Sequence, residues 1–180
     1  MPRRTVLSVS QRSSFEALPV EPAELARHHA LSDEDMAVVR KRRQPRNRLG
    51  FAVQLCLMRY PGRILRAGEK PPMEFLAFIA DQVGCAVDDF ANYAARDQTR
   101  REHVALLITQ LGLQTFTREH FRSTLRWLVP IATENPKSVF LVGAVLNELR
   151  QQGVLHPPLA VVERIVYSAT IWMGMARQSG

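Results

Sequence analysis

Apolar positions recur along most of this chain at intervals of three and four residues, and polar or charged residues fill the positions between them. This spacing is typical of amphipathic α-helices, which bury one stripe of side chains. No run of six residues alternates between apolar and polar, and no Asn-Gly or Asp-Gly pair marks a hairpin. The pattern predicts an all-α fold of eight to ten helices, as one compact domain or two packed helical lobes.

The longest largely apolar run lies at residues 49–58 and has apolar side chains on nearly every side of a helix. It predicts a central, buried helix from about residue 47 to residue 59. Upstream, Ser10 is predicted to cap a short first helix, while Pro22 and Ser32 mark the starts of the second and third. The third helix is predicted to carry a basic run that Pro45 bounds.

Further helix starts are predicted after the central helix, at Pro71-Pro72, Asp88-Asp89, a basic segment near residue 100, Thr117, Asn135-Pro136 and Pro157-Pro158. Trp172 is predicted to point inward from the last helix. A weak point near residues 112–117 separates two lobes. We therefore expect a basic N-terminal arm (1–9), a first helical lobe (10–112), a second helical lobe (113–173) and a frayed tail (174–180).

The net charge of the chain indicates what class of partner it binds. The formal net charge is +7 and the isoelectric point is about 10.2, which favours an anionic partner such as nucleic acid or a membrane surface. Two cysteines in apolar helical patterns, no secretory signal and no stretch of about 18 apolar residues predict a soluble intracellular protein without a membrane span.

Three groups of cations, each associated with a helix, are the best candidates for contacts with a phosphate backbone. Arginine predominates in them, and its planar fork suits phosphate oxygens and guanine edges. The groups, with two interleaved amides as candidate base readers, are Arg40, Lys41, Arg42, Arg43, Gln44, Arg46, Asn47 and Arg48; Arg96, Arg100, Arg101 and His103; and Arg118, Arg122 and Arg126. The alternative for the first group is a solvated helix end followed by a loop.

Catalytic and metal chemistry has little support in the sequence. The acids at residues 33–35 and 88–89 each lie in a first helical turn, where the helix dipole explains them. The five histidines have no metal-ligand spacing, and no glycine-rich phosphate loop or Gly-x-Ser-x-Gly motif is present. The residues alone predict a basic, all-α nucleic-acid-binding protein without a catalytic site, metal or cofactor.

Several ungapped motifs, in order, resemble the N-terminal region of Tn3-family transposases. The resemblance extends to about residue 172. Its motifs are Met1-Pro2-Arg3-Arg4 with Leu7-Ser8, Leu31-Ser32-Asp33-Glu34-Asp35, the stretch from Asn47 to Leu57 with Arg59-Tyr60-Pro61-Gly62, and Tyr93-Ala94 with Arg96-Asp97 and the stretch from Thr99 to His103.

The resemblance implies a module that recognises the terminal inverted repeats of a transposon, with residues 10–112 as its DNA-binding lobe. It places the acidic catalytic triad in a larger C-terminal part, so no catalytic residue is carried over and the chain is expected not to be an enzyme by itself. The implied partners are double-stranded DNA of transposon ends and the remainder of the transposase or another of its subunits, in the bacterial cytoplasm and at the nucleoid when bound.

The sequence leaves two alternatives open. One is a helical protein-interaction module whose basic face is merely solvated. The other is a regulator that occupies transposon ends without cutting them.

Overall fold

A computed structural model describes residues 6–93 and 97–178, with side chains up to Trp172. The described residues form nine α-helices and one 3₁₀ helix without a β-strand, which confirms the all-α prediction. In chain order the α-helices are α1 (Val9–Glu16), α2 (Pro22–His29), α3 (Asp33–Arg40), α4 (Pro45–Arg59), α5 (Met73–Val83), α6 (Asp97–Leu111), α7 (Arg118–Glu134), α8 (Ser138–Gln151) and α9 (Leu159–Gln178), with the 3₁₀ helix at Val87–Asn92 between α5 and α6.

The helices fall into two compact units. The middle unit is Leu18–Leu113, and the terminal unit combines the first 17 residues with those from Gln114 onward. The division at residue 113 lies within the weak point seen in the sequence. Residues 10–17 group with the terminal unit, whereas the sequence pattern assigned them to the first lobe.

In the middle unit, α4 is the central helix. Its residues from Leu49 to Met58 are all buried, and α2, α3, α5, α6 and the 3₁₀ helix pack around them. Pro45 opens α4 because a first-turn proline has no N–H to satisfy. Ser32 begins α3 through a capping box with Asp35, as the sequence predicted.

The terminal unit has its own core between α7, α8 and α9. Leu128, Leu141, Val145, Leu149 and Ile165 are among its fully buried side chains. An isolated parallel bridge joins Gln114 to Val154, which belongs to this core.

Four local predictions for this unit were wrong. Ser8, and not Ser10, caps α1, and Leu7 is buried in the core, so residues 6–9 are not an extended arm. Residues 1–5 of the expected arm lie outside the described part of the chain. Helix α8 begins at Ser138, after the predicted Asn135-Pro136 start, and Trp172 is 54% exposed instead of inward.

Candidate nucleic-acid interface

The first basic group lies at the junction of α3 and α4. Helix α3 ends at Arg40, so residues 41–44 form a short connection before Pro45 begins α4. This corrects the prediction that the helix carries the whole run. The amides of Lys41 and Arg42 donate to the carbonyls of Val38 and Val39 and tighten the last turn of α3. The cations are therefore presented between one helix end and one helix start, both attached to the core.

Three acidic residues hold arginines of the middle unit in ion pairs. The guanidinium of Arg59 donates through both Nη atoms to the buried carboxylate of Asp35. Asp97 accepts from both Arg100 and Arg101, at 2.8 Å and 2.5 Å. The third pair joins Arg63 to Glu69 within the loop after α4, at 2.6 Å.

Arg100 has a further contact that fixes it in place. Its Nη1 donates to the carbonyl of Leu65 at 3.3 Å, so this guanidinium ties the start of α6 to the loop after α4. The neighbouring Arg101 side chain is 78% exposed despite its contact with Asp97. Of the second basic group, Arg101 is therefore the residue that the described structure leaves at the surface.

Four cations of the first group differ from these arginines because they have no acidic partner among the described residues. Arg40, Lys41, Arg43 and Arg46 are exposed, and none of them forms an ion pair with any residue that the structure describes. Arg46 donates its Nε to the side-chain oxygen of Gln44 at 2.9 Å, and its Nη groups have no acceptor among the described residues. Charge that the fold does not neutralise is available to an anionic partner.

Arg42 lies beneath this exposed set. Its guanidinium carbon is 5.0 Å from the centre of the Phe51 ring on α4, a cation–π arrangement. The edge of that ring meets His103 of α6 at a centroid distance of 5.1 Å, and the His103 Nδ1 is 3.1 Å from the hydroxyl of Tyr93. Phe51, Tyr93 and His103 form a buried aromatic cluster that joins the first basic group to α6.

Burial determines the protonation of this cluster. Burial, followed by the positive charge of Arg42, lowers the pKa of His103 to about 4, so the ring is neutral near pH 7. Burial also raises the pKa of Tyr93 to about 12. His103 was a candidate DNA contact in the sequence, but the structure places it at 5% exposure as a packing residue.

The remaining residues of the first group are partly covered. Asn47 and Arg48 are half-buried in the first turn of α4. The charge of Arg48 acts on the thiol of Cys85, although burial is the larger effect and raises the pKa of that thiol. The carbonyl of Pro45 accepts a hydrogen bond from the same thiol at 3.6 Å, so Cys85 packs against the start of α4. Arg96, from the second group, lies outside the described residues.

The third group occupies the terminal unit. Arg118, Arg122 and Arg126 are all exposed on α7, one turn apart. The structure adds an arginine that the sequence did not single out, because Arg164 of α9 lies 5.1 Å from the centre of the Phe121 ring on α7. Only the packing of α7 on α9 makes these residues neighbours, so sequence spacing contains no signal for Arg164.

Within the described ranges, no group of three or more His, Cys, Asp or Glu side chains is arranged to hold a metal ion. No helix in the described part of the chain has the length and apolar character needed to cross a bilayer.

Comparison with known proteins places the chain in a family. Residues 6–169 match the family described as a domain of unknown function, DUF4158. Over 164 residues, 91% of this chain, it is 43% identical to the transposase for transposon Tn21 of Escherichia coli and 40% identical to that for Tn501 of Pseudomonas aeruginosa. It is 31% identical over 166 residues, 92% of the chain, to the transposase for Tn1546 of Enterococcus faecium. The matched region is 17% of the length of each of these relatives. The chain therefore belongs to the DUF4158 family and corresponds to part of a Tn3-family transposase.

Proposed function

We propose that this chain is a DNA-binding module of a transposase and that it recognises the terminal inverted repeats of its transposon. The observation that carries the proposal is the set of four exposed cations, Arg40, Lys41, Arg43 and Arg46, that have no ion-pair partner among the described residues. Unneutralised arginine and lysine side chains on a rigid support are the electrostatic basis of phosphate-backbone binding.

The support under these cations favours DNA over a merely solvated surface. Helix α4 is buried from Leu49 to Met58, so its first turn is held in a fixed orientation. Side chains at the start of a held helix are well placed to combine phosphate contacts with base contacts. Arg46, whose Nη groups have no hydrogen-bond acceptor among the described residues, is a candidate for a contact with a guanine edge.

Fluorescence anisotropy with labelled duplexes tests the proposal. The duplexes carry the terminal inverted repeats of the Tn21, Tn501 and Tn1546 transposons, and scrambled duplexes of equal length and composition serve as controls. We expect at least one repeat to bind roughly 1,000-fold more tightly than its scrambled control, a value at the low end for specific DNA binding. Equal affinity for all repeats and all scrambled duplexes would refute recognition of transposon ends.

A second candidate function is docking on another part of the transposase, and a feature of the terminal unit favours it. Large apolar side chains are exposed on two helices that pack together: Val139 and Phe140 on α8, and Tyr167, Ile171 and Trp172 on α9. Contiguous exposed apolar side chains are typical of interaction surfaces, and we infer that these five form one.

A binding assay with the separately expressed remainder of a transposase tests this candidate. Replacing Phe140 and Trp172 by serine is expected to weaken the association at least tenfold. Replacing Val9, which is exposed on α1 of the same unit, by serine is the matched control, and we expect it to leave the association unchanged. Unchanged binding of the double variant would refute docking through this surface.

A further inference from the structure

Arg42 differs from its neighbours in the α3–α4 connection by the direction of its side chain. Lys41 and Arg43 are exposed, whereas Arg42 is half-buried with its guanidinium 5.0 Å from the centre of the Phe51 ring. The Nε atom of Arg42 is buried and has no hydrogen-bond partner among the described residues. A phosphate oxygen therefore cannot reach this nitrogen without displacing the side chain from the ring.

The contact of Arg42 extends through the aromatic cluster to other elements of the middle unit. Phe51 meets His103 of α6 edge-on, and His103 bonds to Tyr93, which follows the 3₁₀ helix. Arg42 also acts electrostatically on His103. The Arg42 side chain thus contacts α4 directly through Phe51, and Phe51 in turn links it to α6 and to the segment that follows the 3₁₀ helix.

We propose that Arg42 is a positioning residue that fixes the α3–α4 connection in the free protein, while the exposed cations beside it contact DNA. This inference rests on the proposed DNA-binding function. A short connection with charged side chains loses conformational freedom when it binds a phosphate backbone, and that loss subtracts from the affinity. Arg42 anchors the connection on Phe51 before DNA arrives, so less freedom is lost on binding.

The salt dependence of DNA binding separates a positioning residue from a phosphate contact. Each lost phosphate contact reduces the slope of log K against log salt by about 0.9. Arg43→Ala, the adjacent exposed residue, is expected to show this reduction. Arg42→Ala is expected to weaken binding about 5- to 30-fold, the equivalent of a half-buried cation–π contact, while the slope is unchanged. A slope reduced by about 0.9 in Arg42→Ala would overturn the proposal.

A measurement without DNA tests the placement of Arg42 independently of the proposed function. In an NMR titration of the full chain, Arg42→Ala is expected to raise the pKa of His103, because a nearby positive charge is removed, whereas Arg43→Ala leaves it unchanged. If the pKa of His103 is unchanged in folded Arg42→Ala, the placement of Arg42 beside the Phe51 ring is wrong. If Arg42→Ala does not fold, Arg42→Met, which retains apolar contact with the ring, is measured in its place with the same expectations.

The two hypotheses fail in different ways. If the unaltered chain does not bind terminal-repeat duplexes, the proposed function fails, and with it the role of Arg42 in binding. If the chain binds and Arg42→Ala behaves like Arg43→Ala, only the positioning role fails.

Discussion

The ring of Tyr93 occupies the space that a side chain on residue 50 would need. A β-carbon built on Gly50 comes within 2.0 Å of the Tyr93 Cδ2 atom, although Gly50 lies inside the central helix α4, where alanine is ordinarily preferred. The missing side chain allows Tyr93 to pack directly against α4 and to hold its hydroxyl 3.1 Å from His103. Gly50 and Tyr93 thus fix the aromatic cluster beneath Arg42.

Gly50→Ala is expected to destabilise the protein by about 3 kcal/mol. Helix propensity favours alanine by about 1 kcal/mol, but the new methyl group displaces a buried ring, and overpacking of this kind costs more. Urea unfolding followed by circular dichroism measures the change. Gly143→Ala on α8 is the matched control, because its β-carbon would lie 3.8 Å from Phe15, an ordinary contact. We expect the control to be neutral or slightly stabilising, and a Gly50→Ala protein of equal stability would contradict the packing.

The exposed cations of the α3–α4 connection predict a steep salt dependence. Six to eight phosphate contacts give a slope of log K against log salt of roughly −5 to −7. Simultaneous replacement of Arg40, Lys41, Arg43 and Arg46 by alanine is expected to make the slope less steep by about 3 to 4.

Anisotropy titrations between 50 and 200 mM salt, as an approximate working range, measure this effect. Arg27→Ala on α2 removes an exposed charge of the same unit outside the connection, and its slope is expected to match that of the unaltered chain. A fourfold variant with an unchanged slope would show that these cations do not contact phosphates.

The ion pair between Arg59 and Asp35 joins the end of α4 to the start of α3. Arg59→Met is expected to cost about 2 kcal/mol at neutral pH, because it leaves a buried carboxylate without its cation. The figure is reduced for solvent screening, since the Arg59 side chain is 38% exposed. Urea unfolding at pH 7 measures the cost. The same substitution in an Asp35→Asn background is the control and is expected to cost little.

The same ion pair makes the stability of the protein depend on pH in a definite direction. Burial raises the pKa of Asp35, but hydrogen bonds from Arg59 and Ser32 outweigh burial and hold it below its usual value. The stabilisation is therefore complete above the ordinary aspartate pKa and is lost as the pH falls through the lower folded value. An Arg59→Met effect that persists undiminished at about pH 2 would contradict this assignment.

Two buried histidines predict a loss of stability at mildly acidic pH. Burial lowers the pKa of both His29 and His103 from 6.5 to about 4. Between those pH values the unfolded chain takes up protons that the folded chain does not. Each histidine therefore lowers the free energy of unfolding by up to about 1.4 kcal/mol per pH unit as the pH falls. Above pH 6.5 their contribution is complete.

Urea unfolding at several pH values, followed by circular dichroism, measures this slope. Both tryptophans, Trp127 and Trp172, lie in the terminal unit, which contains neither His29 nor His103. Tryptophan fluorescence therefore follows the unfolding of the terminal unit and serves as the internal control. His103→Gln is expected to reduce the slope of the middle unit by about half. An unaltered slope in that variant would show that His103 is not held neutral in the folded state.

Much of the architecture is readable from local sequence, because its determinants are local. Ser32 with Asp35, Pro22 and Thr117 mark helix starts through contacts within one turn of the chain. The cap of α1 was assigned to Ser10, although Ser8 and Gln11 form a capping box, which is a local signal. The N-terminal arm and Trp172 were assigned wrongly for a different reason. Leu7 is drawn into a core formed by α7, α8 and α9, and the exposure of Trp172 depends on which faces of α9 those helices cover.

The sequence by itself determined that the chain is helical and basic, that its central helix is buried, and that its cations cluster near helix ends, since periodicity and charge are properties of neighbouring residues. Only the tertiary structure decided which cations remain unneutralised. Asp35 lies 24 positions from Arg59, and Phe51 and His103 reach Arg42 from two other helices. Within one arginine-rich run, Arg42 is anchored and its neighbours are exposed. This difference depends on packing between distant segments, about which local sequence patterns contain no information.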